Sequence, residues 1–119
     1  MLDSSQRFAL LRTRYTQSLA SKHVALEEAW RAFDTAANEA TARELQVLVH
    51  RLAGSAPAYG YGPLGMLASA IDGEFTEWEN ATDASRDSAR AVADRLAEPM
   101  QVLLDRLAAF AAEAAAQSS

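Results

Sequence analysis

Apolar residues recur at helical spacing through most of the chain, and this periodicity constrains the fold more than any other feature. In one segment Leu45, Leu48, Val49 and Leu52 stand at positions i, i+3, i+4 and i+7, which places them on one face of an α-helix. Comparable stripes run from residues 8 to 19, 23 to 33, 64 to 78 and 92 to 110. Alanine is abundant and β-branched residues are few, so the composition also favours helix over strand.

The 119 residues suffice for one domain with its own core, and nothing marks a second domain or a repeat. We predict a single all-α domain over residues 1–119: an antiparallel four-helix bundle with an additional N-terminal helix or a bent first helix. The connections are expected at 34–38 and 80–83, with Thr82 or Asp83 capping the last helix. Pro63 suits the first turn of the fourth helix, and Pro99 should kink the last helix without ending it. The tail, 114–119, should fray.

The charge and residue content argue against several function classes. Sixteen acidic and 11 basic side chains give a net charge of −5, which disfavours binding to nucleic acid or to an anionic membrane surface. The N-terminus has no long apolar run, so we expect no signal peptide and no membrane insertion. The chain has no cysteine and only two histidines, so neither a thiolate nor a multi-histidine metal centre is expected. These features fit a cytoplasmic protein.

His50 is the most informative single residue. At about 100° per residue it points away from the stripe formed by Leu45, Val49 and Leu52, and should face water. Gly54 follows one turn later on the same exposed face. A glycine inside a helix costs roughly 1 kcal/mol relative to alanine, so this pair indicates a surface that a partner approaches closely. The alternative is a solvated histidine beside a glycine that only lets two helices pack closely.

The segment that begins at His50 resembles the phosphorylation motif of histidine-containing phosphotransfer (HPt) domains. The matching positions are His50, Leu52, Gly54, Ser55, Gly60, Leu64 and the pair Ile71-Asp72, without a gap over the whole span. The resemblance implies that His50 accepts a phosphoryl group and exchanges it with an aspartate of a response-regulator receiver domain. It implies a hybrid sensor kinase as a second partner, no cofactor on this domain, and magnesium on the receiver. The protein would be a monomeric phosphocarrier and not an enzyme, because the receiver supplies most of the catalysis.

The segment departs from the family pattern at two positions. Ala53 stands where the family usually has a lysine that helps to neutralise the phosphoryl group, which leaves Arg43 and Arg51 as substitute cations. Asp72 stands where the family usually has glutamate or glutamine, which can hydrogen-bond the histidine ring. The resemblance implies that Asp72 orients the His50 ring; because aspartate is one methylene shorter, the sequence leaves open whether it reaches the ring directly, through water or not at all.

The exposed face of the third helix predicts a docking surface for the partner. Gln46, Val47 and Pro57 share the exposed side of the third helix with His50 and should border the partner.

His23 aligns with its helix's apolar residues and has no glycine beside it, so we interpret it as a partly buried structural histidine.

Two other functions remain open. A helical adaptor that binds a signalling partner without carrying phosphate is the main alternative, and a bundle metalloenzyme is a weaker one. The acidic cluster of Asp72, Glu74, Glu77 and Glu79 has no histidine at bundle-metal spacing, so we interpret it as a solvated face.

Overall fold

The structure, a computed structural model, describes residues 1–118, and over these residues the chain is entirely helical in its regular structure. The five helices are α1 (Ser4–Gln17), α2 (Leu19–Thr35), α3 (Glu39–Ser55), α4 (Gly62–Asn80) and α5 (Ala89–Ser118), with a short 3₁₀ turn at Pro57–Tyr59. The predicted all-α fold class is therefore confirmed.

Helices α2 to α5 surround one hydrophobic core. Each contacts the next along the chain, and α2 also contacts α5, which closes the ring. The predicted stripes supply most of this core: Phe33, Leu45, Ile71, Phe75, Leu96 and Leu103 are almost completely inaccessible. Phe33 and Phe75 meet at its centre, with ring centroids 5.7 Å apart. The helical period of the sequence therefore identified most of the buried residues.

Local sequence explains where several helices begin. The Asn38 side chain accepts a hydrogen bond from the Thr41 amide at 2.9 Å, and the Thr41 hydroxyl accepts one from the Asn38 amide at 3.2 Å, which forms a capping box at the start of α3. Pro63 lies in the first turn of α4, as predicted. Helix α5 continues through Pro99 without ending there, as predicted.

The chain between α4 and α5 is longer than expected and ends at a different cap. It extends from Ala81 to Ser88, and Ser88 caps α5 through a 3.1 Å hydrogen bond from the Ala91 amide. The prediction of Thr82 or Asp83 as the cap was therefore wrong. The reason is tertiary: the Trp78 indole donates to the Asp87 carbonyl at 2.7 Å, which holds these residues against the end of α4.

The two ends of the chain also differ from expectation. Phe8 and Leu11, predicted as a buried stripe, are about half exposed, because α1 extends along the end of the core and Tyr15 is its only buried residue. A break at Ser18 separates α1 from α2. The tail expected to fray continues as helix to Ser118, with Ala114 buried; Ser119 lies outside the described residues.

Helices α3 and α4 form an antiparallel pair that positions the candidate site. Gly65 on α4 lies against Pro57, where an added Cβ would be 2.5 Å from the proline Cγ. This close contact fixes one end of the pair. His50 lies seven residues before Pro57, and Asp72 lies seven residues after Gly65. The antiparallel pairing therefore places His50 opposite Asp72, and those two side chains do meet.

Candidate functional site

His50 lies on the solvent-facing side of α3 and contacts a carboxylate from α4. Its side chain is 74% exposed, whereas that of Asp72 is 18% exposed. The Nδ1 atom of His50 lies 2.8 Å from Oδ2 of Asp72, a direct hydrogen bond. The predicted contact of Asp72 with the ring is therefore direct, and the shorter side chain neither loses it nor needs a bridging water. The two helices are close enough for the aspartate side chain to span the gap.

Gln46 contacts the same carboxylate from the helical turn before His50. Its Nε2 donates to Oδ1 of Asp72 across 3.4 Å, a long hydrogen bond. Asp72 therefore presents one oxygen to Gln46 and the other to His50. The sequence assigned Gln46 only to a docking surface and missed this contact. Its position four residues before His50 could have indicated it, because side chains at that spacing face the same neighbouring helix.

The carboxylate determines which imidazole nitrogen is available for chemistry. A neutral imidazole carries its proton on one nitrogen and a lone pair on the other. An ionised Asp72 only accepts hydrogen bonds, so it favours the tautomer with the proton on Nδ1. The lone pair is then on Nε2, which has no hydrogen-bond partner within residues 1–118. The arrangement leaves an accessible nitrogen nucleophile held in one orientation by its neighbour.

Gly54 is exposed one turn beyond His50, and its surroundings distinguish the two interpretations of this residue. A Cβ added at Gly54 would meet no atom within 4 Å, unlike one added at Gly65. No helix therefore packs closely against Gly54, and the interpretation of this glycine as a helix-packing residue is wrong. Since packing within the protein does not require a glycine at this position, the open space next to His50 is available to a partner.

Two arginines, Arg43 and Arg51, are the cations predicted to replace the missing lysine, and they line different surfaces of the protein. Ala53, at the position of the family's usual lysine, is partly buried against the core. Arg51 lines a groove between α2 and α3, and Arg43 lines a depression beside Trp78 near the start of α3. Neither arginine forms an ion pair with any residue of the described chain. Both guanidinium groups are thus available to bind an anion. Their assignment to the phosphoryl group on His50 stays a prediction from the sequence.

The remaining docking candidates are accessible. Val47 is 42% exposed. Pro57 is exposed and begins the 3₁₀ turn after α3, so the helix ends two residues before it. The face therefore contains small and apolar residues around one imidazole.

His23 differs from His50 in the ways that the sequence suggested. Its side chain is 24% exposed, and its Nε2 lies 4.0 Å from Glu27 on the same helix. No glycine opens the surface beside it. The prediction of a partly buried histidine is confirmed.

The acidic residues of α4 do not form a common site. Glu74 pairs with Arg95 of α5 at 3.2 Å, while Glu77 and Glu79 are exposed. In the described part of the chain, no three His, Cys, Asp or Glu side chains are grouped as a metal site would require. No helix among residues 1–118 combines the length and apolar character needed to cross a membrane.

Comparison with known proteins adds no assignment. The chain matches no protein-family model, no curated protein and no solved structure.

Proposed function

We propose that this protein is a phosphocarrier in which His50 accepts a phosphoryl group from, and returns it to, an aspartate of a response-regulator receiver domain. The observation that carries the proposal is the exposed His50 ring with its Nδ1 bonded to Asp72 at 2.8 Å and its Nε2 unoccupied. The motif from His50 to Asp72, which resembles that of HPt domains, supports the same conclusion. In this proposal helices α2 to α5 are an antiparallel four-helix bundle and α1 is the additional N-terminal helix.

The transfer step follows from the chemistry of the pair. The Nε2 lone pair attacks phosphorus while the bond from phosphorus to the partner's aspartate oxygen breaks, and the bonding electrons leave with that carboxylate. Nδ1 keeps its proton throughout. The ring gains positive charge as the N–P bond forms, and the Asp72 carboxylate beside Nδ1–H stabilises that charge. Asp72 is thus a positioning residue that also stabilises the phosphorylated state.

Access to phosphorus requires a surface without obstruction. Gly54 leaves open space one turn from His50, and Val47 and Pro57 provide apolar contacts at its edge. Magnesium belongs to the receiver in this scheme, and this domain contributes the nucleophile. A transient contact of modest area suffices, because the phosphoryl group must be released again. The partners are then a receiver domain and a hybrid sensor kinase, and we place the reaction in the cytoplasm with a monomeric carrier.

The sharpest test is phosphoryl transfer from a labelled receiver. We expect the parent protein to acquire a phosphate that is labile in acid and stable in alkali, and His50→Gln to acquire none. His23→Gln is the matched control and should retain the label. Asp72→Asn should still be labelled, but at a lower rate, because the amide stabilises the ring charge less well. Label retained in His50→Gln, or lost in His23→Gln, would mean that His50 is not the acceptor.

An adaptor that carries no phosphate is the second candidate, and one observation favours it: Ala53 replaces the lysine that HPt domains usually have. Binding to a receiver without transfer from any phosphorylated receiver would support this function. The same experiment therefore separates the two candidates.

A further inference from the structure

A groove between α2 and α3 combines an apolar floor with two cations. It has a volume of about 320 Å³ and its floor is formed by five aliphatic residues: Ala25, Leu26, Leu48, Leu52 and Leu107. Lys22 from α2 and Arg51 from α3 line the same groove. Grooves of this size and composition are typical of sites for small ligands.

Lys22 lies at this groove without an acidic neighbour. Its Nζ donates to Ser18 Oγ at 2.6 Å and lies 4.7 Å from the centroid of the Tyr15 ring. Both contacts are with neutral groups, so the charge of the ammonium is not compensated. Partial burial lowers the pKa of Lys22 below its ordinary value of 10.5. A nearby anion would therefore improve the environment of this side chain.

Arg51 presents the second uncompensated charge. It is exposed and forms no ion pair within residues 1–118, whereas Arg31, further along α2, pairs with Glu27 at 3.4 Å. A guanidinium offers paired N–H donors that match the two oxygens of a carboxylate. In a chain with an acidic excess, two cations that form no ion pair within residues 1–118, beside one apolar floor, complement an amphipathic anion.

We propose that the groove between α2 and α3 binds a small amphipathic monoanion, a carboxylate with an aliphatic chain. The carboxylate lies between Lys22 and Arg51, and the chain covers Leu26, Leu52 and Leu107. The site lies round α3 from His50 and does not include that histidine, although it shares Arg51 with the cations predicted for the phosphoryl site. Its size suits a single aliphatic chain rather than a protein segment.

Decanoate, used well below its micelle concentration, is the probe. Amide chemical shifts should change saturably at residues 21–26 and 48–52. Decanol, which has the same chain without the charge, and acetate, which has the charge without the chain, should both bind at least about tenfold more weakly, because a charge-assisted hydrogen bond and chain burial each contribute that much.

Substitutions test the two cations separately. Lys22→Met and Arg51→Met should each weaken decanoate binding about tenfold while preserving the aliphatic stem. Arg31→Met is the matched control on α2 and should bind as the parent does. Ala25→Phe should fill the groove and abolish binding, with circular dichroism confirming that helix content is retained.

His50→Gln separates this inference from the phosphocarrier function, since it should bind decanoate unchanged. Equal affinity for decanol and decanoate would overturn the proposal, as would parental affinity in both Lys22→Met and Arg51→Met. Shifts confined to another surface would also overturn it, since they would mean that decanoate binds only adventitiously.

Discussion

Replacing Gly54 by alanine should make the protein more stable and the proposed transfer slower. A glycine within a helix costs roughly 1 kcal/mol relative to alanine. At Gly54 a Cβ would meet no atom within 4 Å, so no steric penalty opposes that gain. The expected change in the free energy of unfolding is therefore an increase of about 1 kcal/mol.

The corresponding change in melting temperature follows from the size of the chain. An unfolding entropy of about 2.1 cal/mol/K per residue gives about 250 cal/mol/K for 119 residues. One kcal/mol then raises the melting temperature by about 4 °C. Calorimetry or thermal circular dichroism resolves a shift of this size, and urea unfolding measures the free energy directly.

Two other glycines provide matched controls. A Cβ at Gly73, in the middle of α4, also meets nothing within 4 Å, so Gly73→Ala should stabilise to a similar extent. At Gly65 the new methyl would be 2.5 Å from Pro57 Cγ, and overpacking of about 1–3 kcal/mol should cancel or exceed the gain in helix propensity. The expected order of stability is Gly54→Ala and Gly73→Ala above the parent, and Gly65→Ala at or below it.

The functional result distinguishes a partner surface from a neutral position. The methyl of Gly54→Ala lies one turn from His50 on the same face, so it should slow phosphoryl transfer from a receiver although the protein is more stable. Gly73→Ala should affect transfer less, because Gly73 lies about 100° further round α4 than Asp72. Destabilisation by Gly54→Ala would refute the packing argument, and unchanged transfer would refute the assignment of Gly54 to the docking face.

Three further substitutions test the core, the aromatic cluster and the carboxylate. Phe75→Ala should lower the free energy of unfolding in urea by about 3–5 kcal/mol, because the ring is fully buried against Phe33; a loss below about 1 kcal/mol would contradict a tightly packed centre. Burial raises the pKa of Tyr15 above 10.0, and stability from this group is present below pH 10.0 and lost as the pH rises beyond it. Tyr15→Phe should therefore be less stable than the parent at pH 7, because the variant lacks the 2.8 Å hydrogen bond between Tyr15 and Ser55. The difference in the free energy of unfolding, measured in urea titrations, should shrink by about pH 11, and a constant difference would refute this. Gln46→Leu should reduce the fraction of His50 protonated on Nδ1 in ¹⁵N spectra, because Asp72 loses its second partner; an unchanged tautomer ratio would exclude this role.

Periodicity predicted the part of the fold that depends on burial. The stripe of Leu45, Val49 and Leu52 is buried, and His50 is exposed on the opposite side of the helix, as the spacing of these residues required. Periodicity failed at α1, where Phe8 and Leu11 have helical spacing but are covered over only about half of their surface. A pattern reports which residues share a face, and it does not report whether another element covers that face.

The candidate site was predictable in its residues and not in its contacts. The resemblance of the motif from His50 to Asp72 to that of HPt domains suggested both partners, but whether an aspartate could reach the ring depended on how closely α3 and α4 approach. The contact between Gly65 of α4 and Pro57 of the 3₁₀ turn after α3 fixes that approach, and it joins two residues from different elements. The cap at Ser88 was missed for a similar reason, since the hydrogen bond from Trp78 to Asp87 is tertiary.

The single buried residue of α1 has a consequence for how the protein opens. Tyr15 stacks on Tyr59 with ring centroids 4.5 Å apart and lies near the end of its helix, while residues 4–14 contribute no buried side chain. We therefore expect helix α1 to detach and reform while the core formed by α2 to α5 stays folded. Its amide protons should exchange with solvent deuterium through this local opening, well before those of α3 and α4. We thus expect two cooperative units of unequal stability, and the smaller unit meets the larger beside the 3₁₀ turn that follows the His50 helix.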